Sequence, residues 1–293
     1  MTRAGIVTVV GKPNAGKSTL LNRIVGQKLS ITSPKPQTTR DRIVGIYTAN
    51  DVQMIIADTP GLLNPRYALQ RAMRATALEA LADADVIVYL ADASEGVPLP
   101  LVEAAELDAP PQAPVLTALN KVDALAAPER ERLEAAVPDA ILISALTGEG
   151  VDELMRRIAS NLPESPFLYP EDEIGAQSLR FFASELIRET ALEQLEEEVP
   201  YSLACEVEEF REDRRPIYIR AVIYVERESQ KRILIGHKGA QIREIGRVAR
   251  QKIEQLVGAP VYLDLWVKVL ANWRRNVRSL KRFGFKVPEE HTR

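Results

Sequence analysis

The chain has 293 residues, of which 46% are hydrophobic and 27% charged, and its net charge is −3. This composition is that of an ordinary globular protein with enough length for two domains. No apolar run reaches the roughly 18 residues of a membrane span, and the single cysteine, Cys205, excludes an internal disulfide. The first residues lack the basic, apolar and small-residue segments of a signal peptide, so we expect a cytoplasmic protein.

The first half of the chain alternates short apolar runs with helical patterns. That alternation predicts an α/β domain with a mostly parallel six-stranded sheet and helices on both faces. Two of the strands lie within 43–58 and are joined by four residues, so one strand should be antiparallel. The expected strands lie near 5–10, 43–47, 52–57, 85–91, 114–119 and 140–143. The expected helices cover 17–26, 67–83, 128–136 and 150–161, and the Pro-rich stretch 97–114 should hold at most a short one.

Prolines and an acidic run mark a linker between two domains. Pro163, Pro166 and Pro170 precede Glu171-Asp172-Glu173. We therefore predict one domain over 1–165, a linker over 166–177 and a second domain over 178–293. The second domain is predicted as a small α+β unit with a helix over 178–197, strands near 203–211 and 216–226, a helix ending near Leu256, a strand over 261–269 and a basic closing helix from Asn272.

The net charge hides an asymmetry along the chain. Residues 1–173 carry 16 Lys and Arg against 23 Asp and Glu, a net charge of −7, whereas residues 227–293 carry 16 against 6, a net charge of +10. A basic region behind an acidic front half is typical of proteins that bind nucleic acid or anionic lipid. Charge alone leaves both partners open.

A glycine-rich loop stands between the first predicted strand and the first predicted helix. Its G-x-x-x-x-G-K-S pattern, in that position, is typical of a phosphate-binding loop, and a plain glycine-rich turn is the alternative. The glycines let backbone N–H groups point at phosphate oxygens, and the helix N-terminus adds its positive end. We expect Lys17 to pair with the β- and γ-phosphates and Ser18 to ligate Mg²⁺. The segment comprises Gly11, Lys12, Pro13, Asn14, Ala15, Gly16, Lys17, Ser18 and Thr19.

Two further motifs indicate which nucleotide binds. Asp58-Thr59-Pro60-Gly61 ends an apolar strand, where a carboxylate can hold the Mg²⁺ hydration shell and a glycine N–H can meet a γ-phosphate. Asn120-Lys121-Val122-Asp123 ends another, and its last carboxylate can accept two N–H donors of guanine, unless it serves as a helix N-cap. Adenine would leave that carboxylate desolvated and unpaired, so guanine is favoured. Ser144-Ala145-Leu146 follows the next strand and offers backbone N–H groups to the guanine O6.

These motifs, with the segment 31–40, resemble those of the Era family of bacterial GTPases, and the resemblance covers nearly the whole chain. It implies a Ras-like P-loop domain that binds GTP, GDP and Mg²⁺ and hydrolyses GTP slowly. Residues 27–40 would form the first switch, in which Thr38 or Thr39 reaches the Mg²⁺ when GTP is bound. We favour Thr39, because it directly precedes Arg40 as the corresponding threonine does in related GTPases. The implied metal ligands are thus Ser18, Thr39 and Asp58.

No general base can be assigned for hydrolysis. Ras-type enzymes orient the attacking water with a glutamine directly after the D-x-x-G glycine. Here that position is Leu62, whose side chain cannot hydrogen-bond a water. By resemblance, Asn14 matches the asparagine through which some of these GTPases bind K⁺ in place of an arginine finger. We therefore expect slow hydrolysis that is stimulated by K⁺ over Na⁺ and by an RNA or ribosomal partner.

The second domain carries the pattern I-G-x-x-G-x-x-I from Ile235 to Ile242, which is typical of the clamp of a KH domain, and its element order suits the type II arrangement. The glycines let an RNA backbone approach, while about four bases lie in an adjacent apolar groove. A core position for Trp273 is nearly as well supported as a stacking role. The predicted RNA-binding residues are Gly236, His237, Lys238, Gly239, Arg243, Arg247, Trp273 and Arg274.

By the same resemblance, the partner is the 3′ end of 16S ribosomal RNA, and the function is assistance in assembly of the small (30S) ribosomal subunit by a monomeric protein. The alternative is a peripheral regulatory GTPase that links growth and division, with its basic tail on anionic lipid at the cytoplasmic face of the inner membrane. The G-x-x-G loop favours RNA, because lipid binding needs no such clamp.

Overall fold

The computed structural model of the protein describes residues 1–33, 35 and 37–288. Pro34 and Pro36 of the predicted switch segment, and residues 289–293 of the predicted second domain, lie outside the described residues. The chain divides into two compact units. The first comprises Met1–Arg66 and Gln70–Ala176, and the second comprises Tyr67–Leu69 and the residues from Gln177 onward.

The first unit is built on a six-stranded sheet. Its strands are β1 (Arg3–Val10), β2 (Ile43–Ala49), β3 (Val52–Asp58), β4 (Val86–Asp92), β5 (Val115–Asn120) and β6 (Ile141–Leu142). Their order in the sheet is β2-β3-β1-β4-β5-β6. β2 pairs antiparallel with β3, and the other neighbours are parallel. This confirms the predicted mostly parallel sheet with one antiparallel strand.

Helices pack on both faces of this sheet, as its central strands require. Parallel strands that are covered on both faces consist of consecutive apolar residues, because neither face meets water. The central strands fit this description, since Val9, Val10, Val88 and Leu90 are at most 1% exposed. The Pro-rich stretch holds a single helical turn. The helices are α1 (Lys17–Val25), α2 (Ala68–Ala82), α3 (Leu101–Ala104), α4 (Ala127–Ala136) and α5 (Val151–Asn161).

The carboxyl ends of the parallel strands meet at one edge of the sheet. Val9 is the register partner of Asp58, and Asp92 is the register partner of Asn120. Loops that follow such strands form the crevice in which open α/β sheets bind ligands.

Part of the predicted linker extends the sheet. Gly45 of β2 forms an antiparallel bridge with Gly175. The Ile46 N–H donates to the Ile174 carbonyl at 3.0 Å. The end of the segment 166–177 thus pairs with β2 before the second unit begins.

The second unit is a three-stranded sheet covered on one face by helices. In chain order its elements are α6 (Leu179–Gln194), β7 (Ala204–Arg211), β8 (Ile217–Val225), α7 (Glu228–Ile235), α8 (Ala240–Val257), β9 (Val261–Val269) and α9 (Val277–Arg282). β8 is central, antiparallel to β7 and parallel to β9. Its alternate residues Ile219 and Ile223 share a buried core with Ile187 of α6 and Ile245 of α8.

The second unit differs from the predicted order in two places. Sequence reasoning missed α7, which is only eight residues long and has no capping side chain of its own to mark its start. The Gln230 side chain instead accepts bonds from the N–H groups of Glu226 and Arg227. The closing helix begins at Val277 rather than at Asn272, because the Asn276 side chain accepts the Ser279 N–H at 3.1 Å.

Within the described ranges, none of the helices combines the length and the apolar character that crossing a bilayer demands.

Candidate functional site

The loop between β1 and α1 can be formed only with glycine at two positions. A Cβ on Gly11 would lie 2.0 Å from the Leu90 carbonyl oxygen, and one on Gly16 would lie 2.2 Å from the Asn120 side-chain nitrogen. Gly16 also has φ 99°, in the left-handed region that other residues seldom adopt. The sharp turn at Gly16 places the N-terminus of α1 directly beneath the loop, as phosphate binding requires.

Lys17 is buried at the base of this loop. Its ammonium donates to the Gly11 carbonyl at 3.2 Å and the Lys12 carbonyl at 2.9 Å. Burial lowers the pKa of Lys17 to about 8, although the nearby Asp58 carboxylate acts in the opposite direction. A phosphate would supply the negative charge that this buried ammonium lacks.

Three predicted metal ligands converge beside Lys17. The Ser18 hydroxyl donates to Asp58 Oδ2 at 2.7 Å, the Thr39 hydroxyl donates to the same oxygen at 3.1 Å, and the two hydroxyl oxygens lie 3.0 Å apart. Asp58 Oδ1 is buried with no hydrogen-bond partner among the described residues. Burial raises the pKa of Asp58 above its usual value despite Lys17. An oxygen-only set with an unsatisfied carboxylate oxygen fits Mg²⁺, and the threonine hydroxyl that bonds to Asp58 is that of Thr39.

Asn120 joins three nucleotide-site motifs. Its side-chain N–H donates to the Ala15 carbonyl, and its side-chain oxygen accepts the Ala145 N–H, both at 2.8 Å. The loop that follows β6 is also held from α1, because the Arg23 guanidinium donates to the Ala145 and Leu146 carbonyls. Asp123, three residues after Asn120 in the chain, is exposed. Its carboxylate is therefore accessible to a base.

These elements surround a cavity of about 650 Å³, a volume in the range of small-molecule and cofactor sites. Its lining includes Ile31, Thr32, Ser33 and Gln37 from the predicted switch. The predicted site residues that line it are Pro13, Asn14, Gly16, Lys17, Ser18, Thr19, Thr38, Thr39, Gly61, Lys121 and Leu146. The remaining predicted nucleotide-site residues are not among those that line it: Gly11, Lys12, Ala15, Asp58, Thr59, Pro60, Asn120, Asp123, Ser144 and Ala145.

Two neighbouring leucines after β3 face different surroundings. Gly61 lies against the phosphate loop so closely that a Cβ there would be 2.6 Å from the Pro13 nitrogen. Leu62 donates its N–H to the Gly11 carbonyl at 2.9 Å, and its side chain is buried in a core cluster with Leu81. Leu63 instead lines the nucleotide cavity. The position that holds glutamine in Ras-type enzymes thus directs its side chain into the core.

The G-x-x-G loop projects between α7 and α8. Gly236, Lys238 and Gly239 have φ values of 72°, 48° and 77°. A Cβ on Gly236 would lie 2.7 Å from the Gln241 Cβ, whereas one on Gly239 would have 4.0 Å to its nearest neighbour. His237 and Lys238 are exposed. This loop leaves room for a phosphate backbone next to a cationic side chain.

A groove of about 500 Å³ lies between α8 and β9. Its floor is apolar and its rim carries three arginines. Arg247 is exposed and paired with Glu244. The lining residues are Ile242, Arg243, Gly246, Arg247, Arg250, Val261, Tyr262, Leu263 and Leu265.

The predicted stacking role of Trp273 is wrong in this structure. The indole is 0% exposed, and its N–H donates to the Ser202 carbonyl at 2.8 Å. Arg274 is also engaged, since its guanidinium lies 2.6 Å from the Glu226 carboxylate and is largely buried. Trp273 is the core residue that the sequence left open as the alternative.

Sequence reasoning missed Asp92 and Tyr262. Asp92 ends an apolar strand as Asp58 and Asn120 do, and that position is a signal that could have found it. Tyr262 carries no motif, and only the packing of α8 beside β9 brings it into the groove.

Family models match both halves of the chain. The model described as "50S ribosome-binding GTPase" matches residues 6–121. The model described as "KH domain" matches residues 198–274. The two matches fall on the nucleotide cavity and on the G-x-x-G loop.

Individual relatives extend the similarity over the full length. GTPase Era from Azotobacter vinelandii is 44% identical, with 97% of each chain covered, and GTPase Era from Halothermothrix orenii is 43% identical, with 97% of this chain and 99% of the relative covered. A crystal structure of Era in complex with MgGDPNP and nucleotides 1506–1542 of 16S ribosomal RNA superposes with a TM-score of 0.91 at 40% identity, covering 98% of this chain and 100% of that one. A variant of Aquifex aeolicus Era bound to GDP and AlF4⁻ gives a TM-score of 0.90, also at 40% identity and with the same coverage. The chain belongs to the Era family and is a GTPase with a C-terminal KH domain.

Proposed function

We propose that this GTPase recognises the 3′ end of 16S ribosomal RNA through its KH domain and assists assembly of the small (30S) ribosomal subunit, as a cytoplasmic monomer. The observation that carries the proposal is the open Gly236–Gly239 loop beside the arginine-rimmed groove. Support comes from the similar Era structure that contains nucleotides 1506–1542 of that RNA.

The loop and the groove suit different parts of a single-stranded RNA, namely its phosphate backbone and its bases. Lys238 and the N-terminus of α8 can meet a phosphate where the G-x-x-G loop lets the backbone approach. Ile242 and Leu265 give the groove an apolar floor for bases, and Arg243 and Arg247 stand at its rim. Sequence-selective RNA recognition usually targets unpaired bases in this way.

Mg²⁺ would be held by Ser18, Thr39 and Asp58, and when bound it supplies positive charge that neutralises the β- and γ-phosphates. Lys17 adds a second positive charge next to these ligands. Asp123 and the N–H groups of the 144–146 loop select guanine. Ordering of 27–40 and 58–80 by GTP would then change how RNA reaches the KH domain.

Hydrolysis in this chain must proceed without a glutamine after Gly61. Leu62 is directed into the core, and Leu63 offers the cavity only an aliphatic side chain. We propose that Asn14, which has φ 65° and lines the cavity, contributes to a K⁺ site. Intrinsic hydrolysis is accordingly slow and stimulated by K⁺.

Binding of a synthetic RNA with the sequence of nucleotides 1506–1542 tests the RNA proposal directly. We expect tight binding by the protein and loss of at least about tenfold in affinity for Gly236→Asp, because the new side chain would displace the start of α8 at Gln241 and bring negative charge next to the loop. Gly239→Asn is the matched control, since asparagine tolerates a positive φ and the position has free space. Equal affinity for a scrambled RNA, unchanged by Gly236→Asp, would overturn the proposal.

The role in assembly requires a cellular readout. Depletion of the protein should cause small-subunit precursors with unprocessed 16S RNA to accumulate, and the wild-type gene but not the Gly236→Asp variant should reverse this. Flotation with vesicles of anionic phospholipid provides the comparison. Binding to vesicles without binding to RNA would favour the membrane alternative instead.

A further inference from the structure

An ion pair links the guanine motif to the strand beside it. The Lys121 ammonium lies 2.5 Å from Asp92 Oδ2. The other carboxylate oxygen of Asp92 accepts the Ser94 N–H at 3.0 Å and the Ser94 hydroxyl at 2.7 Å. The Asp92 carboxylate is thus fixed by Ser94, in the turn after β4, and it binds the Lys121 ammonium.

The lysine so held forms part of the nucleotide cavity. Lys121 lines that cavity together with Gly16 and Leu146, and its backbone has φ 70° at the start of the turn that carries Asp123. Its ammonium is bonded to Asp92, which does not line that cavity, so the aliphatic stem is the part that can face a purine ring.

We propose that Asp92 is a positioning residue for guanine nucleotides, which acts by fixing the Lys121 stem as one wall of the base site. A lysine side chain without a partner would lose much of its rotational freedom when a base packed against it. The bond to Asp92 removes that freedom beforehand, so the bound nucleotide dissociates more slowly.

The burial and charge of the pair suit this role. The Asp92 side chain is 15% exposed and that of Lys121 is 39% exposed. Burial by itself would raise the pKa of Asp92, but the bonds from Lys121 and Ser94 outweigh it and hold that pKa below its usual value. Asp92 is therefore charged at neutral pH, and a charge-assisted bond between partly buried groups is stronger than a fully exposed ion pair.

A competing account gives Asp92 a structural role only. Its carboxylate caps the short turn Ala93–Glu95 through Ser94, and on this account the loss of Asp92 acts through that loop and not through Lys121. Removing Lys121 and Ser94 separately distinguishes the two accounts.

The test is the dissociation rate of a fluorescent GDP analogue, measured by stopped flow on the full chain with Mg²⁺. We expect Asp92→Asn to accelerate dissociation about three- to tenfold. The dissociation rate of Asp92→Glu should stay within about twofold of the wild-type rate, because a longer side chain still brings its carboxylate to the Lys121 ammonium. Lys121→Met, which keeps an aliphatic stem without the charge, should also accelerate dissociation.

A double-mutant cycle gives the decisive result. Asp92→Asn should add no further acceleration in the Lys121→Met background, and Ser94→Ala should change the rate less than Asp92→Asn does. Full additivity of Asp92→Asn and Lys121→Met, or an equal effect of Ser94→Ala, would overturn the proposal, as would an unchanged rate in Asp92→Asn. Thermal unfolding of each variant identifies any that is misfolded, and the result does not depend on RNA binding.

Discussion

The indole N–H of Trp273 donates a hydrogen bond to the Ser202 carbonyl at 2.8 Å, within a side chain that is entirely buried. The ring also meets Phe283 edge to face, with ring centroids 5.3 Å apart. These contacts tie the segment after β9 and the residues after α9 to the turn before β7. Trp273 therefore stabilises the second unit, and its effect on RNA is expected to be indirect.

Trp273→Phe should lower the free energy of unfolding of the second unit by about 1–3 kcal/mol, because the Ser202 carbonyl loses its buried partner. Trp266→Phe is the control, since Trp266 is 54% exposed, and it should cost less than about 0.5 kcal/mol. The chain has two tryptophans, both in the second unit, so the fluorescence of the remaining one follows urea unfolding in each variant. Normal stability of Trp273→Phe with lost RNA binding would restore the stacking role.

The two glycines of the RNA loop should respond differently to alanine. A Cβ on Gly236 meets Gln241 at 2.7 Å, but one on Gly239 meets nothing closer than 4.0 Å. Gly236→Ala must displace the start of α8, whereas Gly239→Ala bears only the strain of a positive φ, about 1 kcal/mol. We expect RNA affinity to fall at least about tenfold for Gly236→Ala and less than about threefold for Gly239→Ala, measured by fluorescence anisotropy. Equal losses would show that backbone strain alone controls the loop.

Leu62→Gln should not create a Ras-like catalytic site. Leu62 is 6% exposed and packs in the core, so a glutamine there buries an amide at a cost of about 1–3 kcal/mol. We expect a lower unfolding temperature and no faster GTP hydrolysis in a single-turnover assay. Leu63→Gln is the matched variant, because Leu63 lines the nucleotide cavity and its replacement should cost less than about 1 kcal/mol. Faster hydrolysis by Leu62→Gln would contradict the orientation of that side chain.

The sequence predicted the sheet of the first unit because its strands are apolar on both faces and its motifs stand directly after them. It did not predict the opposite orientations of Leu62 and Leu63, which depend on where β3 and α2 pack. The sequence also did not decide whether Trp273 is buried, because an indole beside two arginines is compatible with both a core position and an RNA-binding surface. Asp92 lacks a family motif, and only the register of β4 with β5 places it beside Asn120 and near Lys121.

GTP hydrolysis should be faster in KCl than in NaCl at equal ionic strength, by at least about tenfold if a cation at Asn14 stabilises the transition-state charge. Asn14→Gly should abolish the difference without straining the loop, because glycine readily adopts the φ of 65° found there. Asn14→Asp keeps an oxygen ligand and should retain part of the response. Equal wild-type rates in the two salts would refute the K⁺ site but leave the GTPase assignment intact.

Lys252 of α8 should make stability depend on pH in the alkaline range. Its ammonium lies 3.1 Å from the fully buried Glu189 carboxylate and 2.7 Å from that of Glu193. Burial alone would lower the pKa of Lys252, but the two carboxylates raise it above its usual 10.5. A pKa that is higher in the folded state means that the stabilisation is complete below 10.5 and is lost as pH rises through the folded value. Lys252→Met should cost about 3 kcal/mol at pH 7, because it removes one partner of a buried pair.

The exposed pair of Lys268 with Glu208 supplies the control for Lys252. Lys268→Met should cost less than about 1 kcal/mol, since an exposed ion pair contributes little. Urea unfolding followed by tryptophan fluorescence from pH 7 to pH 12 should show the stability of the wild type converging on that of Lys252→Met above pH 10.5, while Lys268→Met stays nearly parallel to the wild type. A gap between wild type and Lys252→Met that is constant across this range would mean that packing of the lysine stem, and not its charge, stabilises the contact between α6 and α8.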